Sequence, residues 1–427
     1  MQILANVVNF VLGLGGAIFL PFMIAILGMF FKMSFFDSFK NGLRIGAGLI
    51  GIDLVIGTLV GALAPAVAHY SNLGTGFIAT DIGWEGISAI AWSTPFSIAI
   101  VPLGMILNYI LIRIKFTKTM DVDVWNYWHF ILTAAMVYYL GIRMNLGAAV
   151  SAILGIVIAL ATLAVILKCG DWIAPYWQEY YDLPGTTCCN SDAYCIWLVN
   201  IIVCKVMDMI PGLNKIKING KMLSEKFGAF GDSGVITFFC GLLLALVTRC
   251  DLKTALKMSV TLTACIILVP KTVSLLMEGL VPISNHARRY FKNKLGDDYD
   301  IYIGMDEALC LGDETGIQIA VIMIPFALAL AFVPGVNFFP VAGLGSLCYT
   351  TCACALFAKG DFLKTFVSSL VMTLVFYELK SFMAPLATML AVESGSVTSA
   401  SGLITGSGVW ELQNLIIGLI TKMFGAW

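Results

Sequence analysis

The sequence predicts an all-α polytopic membrane protein of about 10–12 transmembrane helices, arranged as an inverted repeat of two halves with re-entrant hairpins. Three observations carry this. The 427-residue chain is 59% hydrophobic and only 12% charged, with a mean hydropathy of +0.92. Stretches of about 20 residues with little or no charge recur along it, the length needed to cross a bilayer as a helix. The two halves also repeat short strings in the same order, a mark of duplicated membrane folds.

The segments justify themselves in turn. Ile3–Phe31 has no basic leader and no small-residue cleavage site, and Pro21 sits within it, so it reads as a retained span. Further spans are expected at Ile45–Val67, Gly86–Ile112, Met144–Leu167, Val235–Val247, Met258–Gly279, Gly316–Val333, Phe338–Ala358, Thr365–Ala391 and Leu403–Ile420. Shorter apolar segments lie near Trp125–Ile142 and Tyr194–Ile210. The net charge of −1 argues against a nucleic-acid role. Most of the twelve cysteines fall in apolar runs and read as small core residues, with the loop pair Cys188–Cys189 the exception left open to oxidation. No phosphate-cradling loop ending in Gly-Lys-Ser/Thr and no zinc-ligand spacing occurs, so neither a self-contained ATP-driven pump nor a metalloenzyme is expected, and no metal or cofactor.

The repeat rests on ordered matches. "FKNGLRIG" (39–46) resembles "LKTALKMS" (252–259), and the spans they enter end near Pro65 and Pro282. "GISAIAWSTPF" (86–96) aligns without a gap with "GIQIAVIMIPF" (316–326), and "DWIAP" (171–175) with "SFMAP" (381–385). Gly185–Thr186 and Gly395–Ser396 then stand at equal distances from the two prolines. The expected organisation is a first membrane repeat at 1–193, a connector with a cytoplasmic basic loop at 194–226, a second repeat at 227–400 and a terminal span at 401–427. The loop Ala66–Thr80 has no Lys or Arg, whereas its counterpart Val281–Asp300 carries Arg288, Arg289, Lys292 and Lys294. Equivalent loops are thereby expected on opposite sides of the membrane.

Each "GI…PF" span is preceded by an acidic, glycine-containing stretch. "GMDEALCLGDETG" (304–316) holds Asp306, Glu307, Asp313 and Glu314 with no Lys or Arg between Lys294 and Lys359, and "ATDIGWEG" (79–86) holds Asp81, Trp84 and Glu85. The glycines favour bent or re-entrant elements, which survive at membrane depth only when buried in protein or lining a watery cavity. Asp297, Asp298 and Asp300 read instead as a solvated loop. Asn126 and His129, with Trp125, share one helical face and suit a hydroxylated ligand, an interfacial aromatic belt being the alternative. Asp232, between glycines, either lines the cavity or caps a helix. Gln318 lies in the span after the second acidic stretch. Carboxylates with no fixed counter-cation suit two ligands, a cation or a neutral polyol whose hydroxyl protons they accept.

The strings "TMDVDVWNYWHF" (119–130), "TDIGWEG" (80–86), "EKFGAFGDSGVI" (225–236) and "GMDEALCLGDETGIQIA" (304–320) resemble the galactitol-type IIC permease component of the bacterial phosphoenolpyruvate-dependent sugar phosphotransferase system, in the ascorbate/galactitol superfamily. The resemblance implies a multi-pass homodimer in the bacterial inner membrane, with a core domain moving elevator-fashion against a dimerisation domain. It also implies uptake of an alditol that a separate cytoplasmic IIB subunit, supplied by IIA, phosphorylates from a phosphocysteine; IIC alone would not be catalytic. On this reading Glu314 and Asp313 assist phosphoryl transfer, and Glu85, Asp81, Trp84, Asn126, His129, Asp232, Asp306, Glu307 and Gln318 bind the substrate. The lysine-rich connector Lys205–Lys226 and Arg288–Lys294 are candidate docking surfaces for the phosphate-bearing partner. A cation-coupled transporter of a small polar solute is the alternative.

Overall fold

The computed structural model describes residues 16–73, 76–211, 233–296, 300–340, 342–397 and 402–427. Among them the chain runs α1 (Gly16–Phe30), α2 (Phe35–Leu73), β1 (Ala79–Asp81), α3 (Gly83–Trp92), α4 (Ser97–Arg113), β2 (Thr119–Asp121), a 3-10 turn (Val124–Asn126), α5 (Tyr127–Arg143), α6 (Ala148–Tyr181), β3 (Thr186–Cys188) and α7 (Ser191–Met209). It continues through α8 (Ser233–Val247), α9 (Leu252–Leu295), β4 (Tyr302–Met305), a second 3-10 segment (Glu307–Gly312), α10 (Glu314–Leu330), β5 (Phe338–Phe339), α11 (Leu347–Ala358), α12 (Phe362–Glu393), β6 (Leu403–Thr405) and α13 (Leu412–Met423).

The longest apolar runs fold as expected. Among the described residues four helices are long and apolar enough to cross a membrane, over Phe35–Pro65, Ala148–Tyr181, Leu252–Lys294 and Phe362–Glu393. The chain is thus a largely helical membrane protein. Of the ten to twelve expected spans, these four are single helices of spanning length; other apolar helices, such as Ala99–Arg113 and Leu347–Ala358, are shorter. The expected span Gly86–Ile112 divides between α3 and α4 at Ser93–Phe96. Pro95 has no amide proton and disfavours helical backbone in the residue before it. The Ser97 hydroxyl takes up the carbonyls exposed at the break, donating to Thr94 (2.9 Å) and Trp92 (3.2 Å). The expected span Phe338–Ala358 likewise divides into β5 and α11.

The chain forms two compact units, each drawn from three separate stretches. The first comprises Met1–Asp53, Ala91–Ser191 and Lys271–Leu309. In it α5 and α6 pack closely because Gly155 on α6 faces the backbone of α5: an added Cβ would lie 2.7 Å from the Ala134 carbonyl oxygen. Its three-stranded sheet is all parallel in the order β2-β4-β3, with Thr119 beside Tyr302 and Cys188 beside Met305. The second unit comprises Leu54–Ile90, Asp192–Pro270 and Cys310–Trp427. There Gly316 lets α10 approach α11, an added Cβ falling 2.4 Å from the Cys352 Cα. Its sheet is also parallel, in the order β5-β1-β6, with Asp81 beside Thr405.

The two sheets share one plan. Each sets a strand from one half of the chain, β1 or β4, between two strands of the other half, β5 and β6 or β2 and β3. Strands β2 and β3 are buried at every position and β4 at three of its four. Non-helical backbone is thereby paired and covered by protein, the condition under which it is tolerated in a membrane protein.

Candidate functional site

Because β2, β3 and β4 run parallel, their C-terminal ends bring the residues just beyond them together. Asp121 ends β2, with Asp123 two residues on; Asn190 comes after β3, and Asp306 after β4. Glycine makes the gathering possible: an added Cβ at Gly304 on β4 would lie 2.4 Å from the Cys189 sulfur and 2.9 Å from the Asp121 Cα. Asn108 on α4 fixes β2, donating to the Thr119 carbonyl (2.9 Å) and accepting from the Asp121 amide (2.8 Å).

Local hydrogen bonds then orient the carboxylates. Asp121 accepts from Asn126 Nδ2 (3.0 Å) and from the Asp123 amide (3.2 Å). Asp123 accepts from the Trp125 amide (3.0 Å) through Oδ1 and from the Asp306 amide (3.2 Å) through Oδ2. Asp306 accepts from Asn190 Nδ2 (2.7 Å) and from the Ala308 amide (2.8 Å). All three aspartates are at most 5% exposed, and Asn126, His129 and Glu307 are buried beside them in sequence. Among the described residues no Lys or Arg forms an ion pair with any of the three.

Their electrostatics derive from that enclosure. All three lie outside the four spanning helices. Burial, then the neighbouring Asp123 and Asp306, hold the Asp121 carboxyl well above its ordinary value, against the opposing Asn126 hydrogen bond. Burial and the Asp306 carboxylate push Asp123 up to about 7. Asp306 is raised by burial too, restrained by its Asn190 and Ala308 hydrogen bonds and by the charge of His129. Asp121 Oδ2, Asn126 Oδ1 and the Tyr127 hydroxyl are buried with no hydrogen-bond partner. Two acceptors and a hydroxyl, left unpaired beside carboxyls whose proton affinity burial raises, form a surface suited to a ligand rich in hydroxyl groups.

The other acidic stretch is placed differently. Asp81 ends β1 and accepts from the amides of Gly83 (3.2 Å) and Gly343 (2.8 Å). A cation stands near it: Lys380 on α12 is 4% exposed, its Nζ 5.8 Å above the Phe338 ring. A Cβ added to Gly343 would lie 3.2 Å from Asp81 Oδ2 and 3.6 Å from Lys380 Nζ, so both charges face one point. The expectation that no cation serves these acids fails here because Lys380 arrives from a helix some 300 residues away in sequence. Trp84 is half-buried on α3; Glu85 lies in the first turn of that helix, and its side chain is outside the described residues. Asp313 caps α10, accepting from the Gly316 amide at 2.6 Å, and Glu314 is exposed. Gln318 is 1% exposed, with both amide atoms unpartnered. Asp232 and most of the lysine-rich connector lie outside the described residues. Cys188 and Cys189 are buried free thiols.

The structure therefore brings Asn126, His129, Asp306 and Glu307 into the first unit and leaves Asp81, Trp84, Glu85, Asp313, Glu314 and Gln318 in the second. Sequence reasoning missed Asp121, Asp123 and Asn190. The first two stood in the string at 119–130, and the spacing of two acids two residues apart before an Asn was the available signal.

A helical membrane chain with a buried carboxylate cluster suits a solute permease, and comparison with known proteins places it. The chain matches the family described as "PTS system sugar-specific permease component" over residues 10–401 and belongs to that family. It is similar to the "PTS system galactitol-specific EIIC component" of Escherichia coli strain K12, 28% identical over 402 residues that cover 94% of this chain and 87% of the relative. The protein of the same description from Escherichia coli O157:H7 matches equally.

Proposed function

We propose that the chain takes up an alditol of the galactitol type across the bacterial inner membrane, as a multi-pass permease, for phosphorylation by a separate IIB subunit supplied by IIA. The observation that carries this is the cluster of Asp121, Asp123 and Asp306, buried with no Lys or Arg ion pair among the described residues and edged by unpaired polar atoms. An alditol presents hydroxyls that donate to carboxylates and to Asn126 Oδ1 and accept from the Tyr127 hydroxyl. Asp123, raised to about 7, and Asp306, also raised, are in their ionised forms suited to take up the proton of the hydroxyl that attacks the phosphoryl group. The chain's own part is to bind, orient and deprotonate; the phosphoryl group comes from the partner. We place this role on Asp306 and Asp123 ahead of Glu314, which is exposed, and Asp313, which caps α10.

The finer architecture belongs to the same proposal. The shared plan of the two sheets supports a duplicated chain. By strand position the second repeat runs through β6, so Gly402–Leu403, ahead of Gly395–Ser396, is the counterpart of Gly185–Thr186. An inverted arrangement, elevator movement and homodimer complete the reading by family resemblance. A cation-coupled transporter is disfavoured by the family match.

The test is galactitol uptake into vesicles loaded with phosphoenolpyruvate and the general phosphotransfer proteins, with and without IIB. Phosphorylated galactitol accumulating only with IIB is expected. Free galactitol accumulating without IIB, driven by an ion gradient, would overturn the proposal.

A further inference from the structure

The parallel strands that carry the aspartates have a second end, and its charge is opposite. At the N-terminal ends of β2 and β4 lies a cavity of about 230 Å³ lined by Lys115, Phe116, Thr117, Lys118, Lys168, Asp171 and Tyr302. The strands are locked together there, the Tyr302 amide donating to the Lys118 carbonyl (2.9 Å) and the Ile303 amide to the Gly185 carbonyl (2.9 Å). The one acid in the cavity lining is already committed. Asp171 Oδ1 accepts from the hydroxyls of Thr117 and Thr119 and from the Lys118 amide, each at 2.9 Å, while Oδ2 pairs with Lys168 at 3.1 Å.

The end of α9 extends this basic face. Arg288 lies against the start of β3, its Nη1 2.6 Å from a Cβ built on Gly185. Arg288 and Lys292 share a single carboxylate, Asp300, at 3.8 and 3.4 Å, and Asp300 stands two residues before β4. Lys115, Lys118 and Lys168 are exposed and Arg288 and Lys292 half-buried, so among the described residues five cations stand with the paired carboxylates Asp171 and Asp300 along one sheet edge. The aspartate cluster lies at the opposite ends of the same strands, three or four residues away, about 10 Å at the rise of a strand.

We infer that this basic face is the docking surface for the phosphate-bearing protein that serves the aspartate cluster, with the cavity between Lys115, Lys118 and Lys168 admitting its anionic, phosphate-carrying loop. The inference rests on the proposed function. Charge complementarity selects the occupant: excess cation flanking a cavity of this size attracts an acidic, phosphorylated protein and fixes its register. The Lys and Arg that make the face also mark the cytoplasmic side, where such a partner is found. The sheet then serves as a short rigid spacer, with the cationic docking end and the hydroxyl-binding end fixed by the same backbone.

The test uses the full chain in nanodiscs of zwitterionic lipid, with purified IIB in phosphorylated and unphosphorylated forms. The variant is the double charge reversal Lys118→Glu with Lys292→Glu; neither residue touches the aspartate cluster. Galactitol affinity is expected to stay within about twofold of wild type, which also establishes folding. Affinity for phosphorylated IIB is expected to fall about tenfold or more, and wild-type association to weaken with salt. Unchanged IIB affinity in the variant overturns the docking surface. So does an effect that appears only in discs containing anionic lipid, which would make the face a lipid contact. Failure of wild type to bind galactitol while IIB binding still depends on Lys118 and Lys292 would overturn the substrate reading and leave the surface standing.

Discussion

Binding of an alditol to the aspartate cluster is expected to release protons near neutral pH, and Asp123 sets the scale. Burial and the Asp306 carboxylate hold it at about 7 against an ordinary value of 3.8. Between those values the folded chain keeps a proton that the unfolded chain has lost. Stability therefore falls as pH rises from about 4 to about 7, by at most ~4 kcal/mol, and levels off above that. Alditol hydroxyls donating to the carboxylate favour its ionised form. Two such charge-assisted bonds of ~1.5 kcal/mol each lower the bound-state value by roughly 2 units. At pH 6.5 the free carboxyl is about three-quarters protonated and the bound one almost fully ionised, so about 0.7 proton leaves per chain. Titration calorimetry of the detergent-solubilised protein, in two buffers of different ionisation enthalpy, reads this number directly. Asp123→Asn should reduce the buffer dependence and flatten part of the fall in stability between pH 4 and 7, the raised Asp121 and Asp306 accounting for what is left. Zero net proton exchange, or uptake, between pH 5.5 and 8 would refute the role of these carboxylates as hydroxyl acceptors.

The same geometry sets three further outcomes. Asp306→Asn keeps an oxygen for the Ala308 amide but removes the charge, and galactitol affinity should fall about 10- to 100-fold; Glu314→Gln, at an exposed position, should change it less than about twofold, both read by equilibrium binding. Gly304→Ala forces a methyl into the Cys189 sulfur and the Asp121 backbone, which should cost about 1–3 kcal/mol in thermal unfolding and open the β2–β4 pairing enough to abolish binding. Lys380→Met leaves Asp81 without its cation: at a separation on the order of 6 Å and an effective dielectric of ~20 the loss is about 3 kcal/mol. Adding Asp81→Asn to that variant should restore part of its unfolding temperature, and no restoration would mean that the two charges do not interact.

The features the sequence disclosed and those it hid divide along physical lines. Helices α6, α9 and α12 were legible because a spanning helix satisfies its own backbone and needs only a long apolar run. The two sheets were not, since strands of two to four residues, buried on both faces, show no alternation and pair across distances such as Thr119 to Tyr302. The two strings matched as "GI…PF" take different shapes: α10 runs unbroken through Pro325, whereas the stretch at 86–96 breaks at Pro95. Asp306 stood out as an acid in an apolar chain. Asn190 and Lys380 did not, because a side chain's partner is set by the fold, and neither Asn190 with Asp306 nor Lys380 with Asp81 is near in sequence.

The contrast between the two sheets carries the functional assignment further than the family match does. Each sheet ends a strand on an aspartate or leads straight into one, Asp81 or Asp306, so the two positions carry the same side chain. Around Asp81 the chain supplies two backbone amides and a buried lysine, a set that satisfies a carboxylate internally and leaves it little capacity to bind anything else. Around Asp306 it supplies two more aspartates and, among the described residues, no Lys or Arg ion pair, an arrangement that raises the energy of every charge in it. Such a cluster costs the fold stability as pH rises toward neutrality. A ligand's hydroxyl groups would complete it, so the sheet with no Lys or Arg ion pair among the described residues is the one the proposal gives to the substrate, and the sheet with the buried lysine the one it gives to the scaffold.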